Sequence, residues 1–246
     1  VVSEEESSLK TQSRRAENGG GEKMKNIILV VILLVVFVAE CDAVEIVVSD
    51  TIASKYVTKA GSIIGKGPVN QSMIGLDVAG FYGYVLNNYD FTKKKVNEND
   101  LILGKKITME SSFGIFSADV SYQRWFEEKE NENIAEVALK YKGYVNGSVI
   151  WTKQVTEGMK LDKNRIYLEL GKSIPYKKLT IMPSVATAFL DNFYSSTGWA
   201  HVTGRMRMEY FLDSHISLFA QGNFQKGLMH GKKDMFYSSS GVKFTF

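Results

Sequence analysis

Gly241-Val242-Lys243-Phe244-Thr245-Phe246 ends the chain. Counted back by twos, Phe246, Phe244, Val242, Ser240, Ser238 and Phe236 share one face of a strand. Thr245, Lys243, Gly241, Ser239 and Tyr237 share the other. One face is apolar with aromatics towards both ends; the other is polar. A strand set between lipid and a wet lumen needs this pattern. The segment lacks the length and uniform apolarity of a membrane helix.

The same alternation recurs upstream. Over 201–212, Val202, Gly204, Met206, Met208, Tyr210 and Leu212 take one face, and His201, Thr203, Arg205, Arg207, Glu209 and Phe211 the other. Arg205 or Arg207 towards lipid would cost about 2–4 kcal/mol near the midplane, so charge decides the register. Ile166, Leu168 and Leu170 stand opposite Arg165, Tyr167 and Glu169. Ile216, Leu218, Ala220 and Phe224 stand opposite Ser217, Phe219, Gln221 and Asn223. A run from Lys106 to Ile115 puts Ile107, Met109, Phe113 and Ile115 opposite Lys106, Thr108, Glu110 and Ser112, with a tight turn at Phe116-Ser117. Lys93 to Asp100 and Leu190 to Trp199 read as loops. Pro183 suggests a bulge, because it forfeits a ladder hydrogen bond. Arg124 shares a face with Val120 and Tyr122 and must snorkel at a rim. The stretch from Phe81 to Tyr89 does not decide its own register.

The fold class is therefore all-β: a transmembrane antiparallel up-and-down β-barrel of about 12 strands, within a range of about 10–14. Both termini then lie on one side, with tight turns there and charged loops opposite.

The start of the chain carries a second signal. Met24-Lys25-Asn26 precedes an unbroken apolar run from Ile27 to Ala39, then Glu40-Cys41-Asp42-Ala43. A short basic start, an apolar run too short to span a bilayer and a small terminal residue describe a secretory signal peptide over 24–43. Cleavage after Ala43 fits, because Cys41 and Ala43 are both small. Lipid attachment at Cys41 is disfavoured by Glu40, which stands where such a site needs a small residue. Residues 1–23 are polar and aperiodic. They read as a translated leader ahead of Met24, or as a disordered extension. The barrel domain is 44–246.

Residues 1–43 hold five of the 30 basic and seven of the 27 acidic residues, leaving 25 and 20 in the barrel domain, a net of +5. That spread-out excess does not describe a nucleic-acid groove. Cys41 is the only cysteine, so the barrel domain has no disulfide and no thiolate ligand or nucleophile. His201, His215 and His230 show no metal-ligand spacing. Gly65-Lys66-Gly67 lacks the spacing of a phosphate-binding loop. Neither cofactor nor metal is expected.

Three stretches carry a family likeness: Ser54-Lys55-Tyr56-Val57, Gly67-Pro68-Val69-Asn70-Gln71-Ser72, and Gly80-Phe81-Tyr82-Gly83-Tyr84-Val85 running on to Asn87-Asn88-Tyr89-Asp90-Phe91. With Glu136-Val137-Ala138-Leu139-Lys140-Tyr141, they resemble the TorF-type porins over about half of the barrel domain. The chain departs from that pattern at Thr58-Lys59-Ala60-Gly61, where the family often carries an aromatic residue and Arg-Gly. The resemblance implies an outer-membrane channel of undefined substrate and supplies no catalytic residue. It also implies that barrel-assembly machinery reads the closing strand through Phe246.

The inward set predicted by alternation is Glu110, Asp119, Gln123, Glu136, Lys140, Arg165, Glu169, Arg205, Arg207 and Glu209. Mixed charges of this kind line a water-filled pore. They equally fill a narrow interior with ion pairs. The expected function is a porin-like channel for passive passage of small polar solutes or ions, with lipid around it and no enzymatic activity. An alternative is a structural or adhesive barrel with a closed lumen and partner-binding loops. A third is a lipid-modifying enzyme using His230 near Ser238–Ser240. The oligomeric state stays open.

Overall fold

The computed structural model describes residues 44–64, 67–127, 131–155, 163–193, 195–229 and 232–246. The leader and signal segment over 1–43, and His230, lie outside them. The strands are β1 (Val44–Ala53), β2 (Tyr56–Val57), β3 (Ile63–Ile64), β4 (Val69–Val78), β5 (Phe81–Asp90), β6 (Lys95–Ser111), β7 (Gly114–Glu127) and β8 (Asn131–Lys142). They continue as β9 (Asn146–Gln154), β10 (Lys163–Gly171), β11 (Ile174–Tyr176), β12 (Leu179–Phe193), β13 (Ser196–Phe211), β14 (Ile216–Gly227) and β15 (Met235–Thr245).

Twelve of them close an antiparallel ring. β1 pairs with β15, β4 to β10 follow in order, β10 pairs with β12, and β12 to β15 complete the circuit. β11 continues the β10 side of β12. β2 and β3 form a separate short hairpin inside the β1–β4 connection. The ring seam is tied by mutual backbone bonds between Ile46 and Phe246, at 2.7 and 2.9 Å. Both ends of the barrel chain therefore sit at one rim, the terminal rim.

The connections 79–80, 112–113, 143–145, 172–178 and 212–215 fall at that rim. The first is a two-residue hairpin with positive φ at both Ala79 (51°) and Gly80 (81°), the twist that matches paired strands. Asp77 Oδ1 accepts the Gly80 N–H at 2.9 Å and pins it. The connections 54–68, 91–94 and 228–234 lie at the opposite, loop rim.

Alternation builds the wall as the pattern demands. On β13, Val202, Met206, Met208 and Tyr210 are exposed outside, whereas His201 and Thr203 are buried inside. On β15, Phe236 and Phe246 are exposed at the two ends of the outer face. The register of β5 is settled by pairing: Tyr82 stands opposite Asp77, and Phe81 opposite Lys105. This turns Tyr82 and Tyr84 inward. Arg124 is exposed on the outer face near the loop rim, its guanidinium 5.1 Å from the Phe126 ring.

Three boundaries and one expected bulge differ from the sequence reading. The β6–β7 turn is at Ser112-Phe113 and not at Phe116-Ser117, so Ile115 belongs to the next strand and faces inward opposite Glu110. Lys95 to Asp100 is strand, because β6 is 17 residues long and outruns the 9–11 residues a bilayer requires. Most of Leu190 to Trp199 is also strand, in a hairpin with Asn192 and Ser195 at positive φ. Pro183 makes no bulge: β12 shifts register after Ala188 and after Leu190 instead. Pro183 sits where β10 has ended and β11 has not begun, so its missing N–H costs little. Its carbonyl accepts from Lys172 N at 3.0 Å.

Candidate functional site

The site is the barrel interior. Its most unusual element is the segment from Thr58 to Ser62 at the head of the β2–β3 hairpin. This segment folds inward and is gripped from two strands and from Lys232 in the connection before β15. His201 Nε2 donates to the Lys59 carbonyl at 3.1 Å, which leaves Nδ1 to accept from Thr203 Oγ1 at 2.9 Å. Gln225 Nε2 donates to the Gly61 carbonyl at 3.1 Å. Lys232 Nζ donates to Ser62 Oγ at 2.6 Å.

Ala60 is fully buried in an apolar cluster on the inner faces of β8 to β12, with Ile134, Ile150, Tyr167 and Leu190. Ala138, Ala186 and Ala188 on the same wall are small, and their lack of bulk makes the room. Gly61 has φ +71°, and a Cβ there would meet the His201 ring, so only glycine fits this turn.

Lys59 reaches across to Glu136 on β8 at 3.1 Å. Enclosure lowers the ammonium pKa below the ordinary lysine range; Glu136 opposes that shift and Arg165 adds to it. The Lys59 side chain is nevertheless 43% exposed, so the enclosed space beside it is open. That space is a cavity of about 530 Å³ along the β4–β10 wall, lined among others by Tyr56, Asp77, Tyr82, Gln123 and Trp125.

Charge pairs step along this wall. Asp77 meets Lys106 at 3.8 Å, Asp119 meets Lys140 at 3.6 Å, and Glu136 meets Arg165 at 3.5 Å. Tyr82 OH donates to Asp119 Oδ1 at 2.5 Å. Arg165 also donates to Thr152 Oγ1 at 2.8 Å and lies over the Phe193 ring. Gln123 accepts from the Trp125 indole at 3.1 Å.

A second cluster occupies β10 to β14. Arg205 donates to Glu169 at 2.8 Å, to Asn223 Oδ1 at 3.0 Å and to the Tyr167 hydroxyl at 3.2 Å. Ser184 and Tyr167 also donate to Glu169. Arg207 pairs with Glu209 at 3.3 Å and stacks on Phe219, and Ser217 donates to Glu209. A cavity of about 510 Å³ opens here between Arg205, Arg207, Lys140, Lys142 and Lys172, with Glu169 on its edge.

Nine of the ten residues singled out from the sequence thus fall into two paired networks. Glu110 stands apart, exposed near the terminal rim opposite Ile115. Lys106 and Tyr167 fall on the polar faces read from alternation but outside the expected lining set; Asp77, Tyr82 and Thr152 were not singled out, although each sits on an inward position. Lys59 and His201 were missed as partners. The one sequence signal for them was the Thr58-Lys59-Ala60-Gly61 departure, which is the inward segment itself.

No family model matches this chain, and no curated protein matches it by sequence. Solved structures do match its fold. The KdgM porin in complex with disordered oligogalacturonate aligns with TM-score 0.54 at 9% identity, over 82% of this chain and 99% of that one. The KdgM porin by itself gives 0.53, and the NanC porin 0.51, at the same identity and coverage. At this identity the likeness is one of fold alone, shared with the closed antiparallel barrel described above.

Proposed function

We propose that the chain is an outer-membrane channel for passive passage of small polar solutes or ions, exported by a signal segment removed after Ala43. The observation that carries this reading is the interior. A closed barrel with an apolar outer wall encloses open, charge-lined space beside Lys59 and again beside Arg205. Paired acids and bases in a lumen hold water and offer passing ions alternating contacts. The predicted lining set, Glu110 included, is assigned to that pathway. Kinship with the TorF-type porins is part of the same proposal and rests on the motifs around Tyr56, Gln71 and Phe81.

The test is single-channel conductance of the refolded protein in a planar bilayer, with reversal potential under a salt gradient. Discrete conductance steps are expected. A second reading, a closed adhesive barrel, is favoured by one observation: Ala60 and its neighbours fill part of the lumen. A barrel that folds and inserts but never conducts would move that reading ahead.

A further inference from the structure

The outer wall of the barrel is not uniform. On β10 it carries Ile166, Leu168 and Leu170, and such side chains suit hydrocarbon. Around the seam it is polar. Asp50 on β1 stands opposite Val242, on the outer face of β15 between Phe236 and Phe246. Its carboxylate is therefore exposed at mid-wall.

Asn70 Nδ2 donates to Asp50 Oδ1 at 2.9 Å, and Ser72 Oγ donates to the same oxygen at 2.7 Å. Ser72 stands opposite Asn87, and Asn87 opposite Asn99, so the polar strip runs outward across β4, β5 and β6. Asn87 Nδ2 donates to Asn99 Oδ1 at 2.8 Å. Among the described residues, the second Asp50 oxygen and the Asn99 amide nitrogen take no side-chain partner. Beside the strip lies an external groove of about 670 Å³, floored by Ala220, Gly222, Ser238 and Ser240 and flanked by Met206 and Ile52.

Hydrocarbon offers nothing to the Asp50 carboxylate at mid-wall. Small residues let another wall come close. A lipid chain could fill the groove but would leave Asp50 bare. A second copy does both, because its own strip brings the Asn70 amide and the Ser72 hydroxyl to the same depth as Asp50. We infer that the seam facet from β14 through β1 to β6 is the contact face for a second copy of this chain, packed side by side in the bilayer. The inference rests on the membrane-barrel reading.

A photoreactive amino acid placed at Ser72, and separately at Leu168 as a control on the opposite wall, tests it in intact membranes. Irradiation should yield an adduct of twice the chain mass, made only of this chain's peptides, from position 72 and not from 168. The variant combining Asp50→Leu and Asn87→Leu should lose the adduct of the position-72 protein while keeping its unheated gel shift. A position-72 protein that keeps the gel shift but links only to lipid, or to a different protein, would overturn the inference and leave the barrel standing. Absence of the gel shift from the parent chain would instead overturn the membrane-barrel reading, and the inference with it.

Discussion

Lys59 and Glu136 lie 77 residues apart in sequence and meet at 3.1 Å across the interior of the barrel. Glu136 also holds Arg165, so one carboxylate joins the inward segment to the β8–β10 wall.

Removing that tie should widen the passage without harming the barrel. Lys59→Ala should raise single-channel conductance, and Gly61→Val, which cannot hold its turn beside His201, should do the same. The pair is part-exposed, so the stability cost of Lys59→Ala should stay within about 1 kcal/mol, measured by denaturant unfolding in detergent. Unchanged conductance in both variants would place the inward segment off the conduction path.

The two arginines of β13 should behave differently. Arg207→Glu and Arg205→Glu should both move the reversal potential towards cations. Arg205→Glu sets a second carboxylate against Glu169 and breaks three bonds, so it should cost about 1.5–3 kcal/mol for the lost charge-assisted bonding. Combining it with Glu169→Arg should return most of that stability. Equal stability of the two single variants would contradict the pairing of Arg205 with Glu169.

The outer wall gives the converse experiment. Met208→Arg puts a guanidinium on the apolar face and should reduce assembly by about 2–4 kcal/mol if the site is near the midplane. If Met208→Arg assembled normally and Arg207→Glu did not, the inside and outside of β13 would be exchanged.

Heat should unmask the closed ring. The unheated protein is expected to migrate faster than the boiled one, with a β-rich circular dichroism spectrum before heating. A helical spectrum would exclude the fold.

Mass spectrometry of outer-membrane material should find a chain beginning at Val44 without lipid. A lipidated Cys41, or any peptide from upstream of Met24, would overturn that processing scheme.

The parity of each strand was legible in the sequence wherever charge and apolarity alternated cleanly. Met206 and Met208 against Arg205 and Arg207 left only one orientation. The β6 start was not legible, because a strand that outruns the bilayer can be polar on both faces, as Glu98 and Asn99 are. Which charges pair was not legible either. Glu169 finds Arg205 36 residues away through the β10–β12–β13 register, and period two says nothing about register between strands. The inward segment was the least visible feature. Its grip depends on His201 and Gln225, 142 and 164 residues downstream, and a glycine-rich stretch between strands looks like any surface loop.

The β1–β15 seam also carries a consequence in time. The first strand of the ring takes its only second neighbour from the last, so neither edge is covered until synthesis has finished. Until then two strand edges, one at each end of a nearly complete sheet, offer open backbone groups to any other chain. A ring closed by its most distant contact also forms slowly, because that loop must be brought together before it returns anything. The interval between emergence and closure is therefore the most aggregation-prone period in this protein's life, and a chaperone that shields the ends would matter more to its yield than any single contact inside the finished barrel.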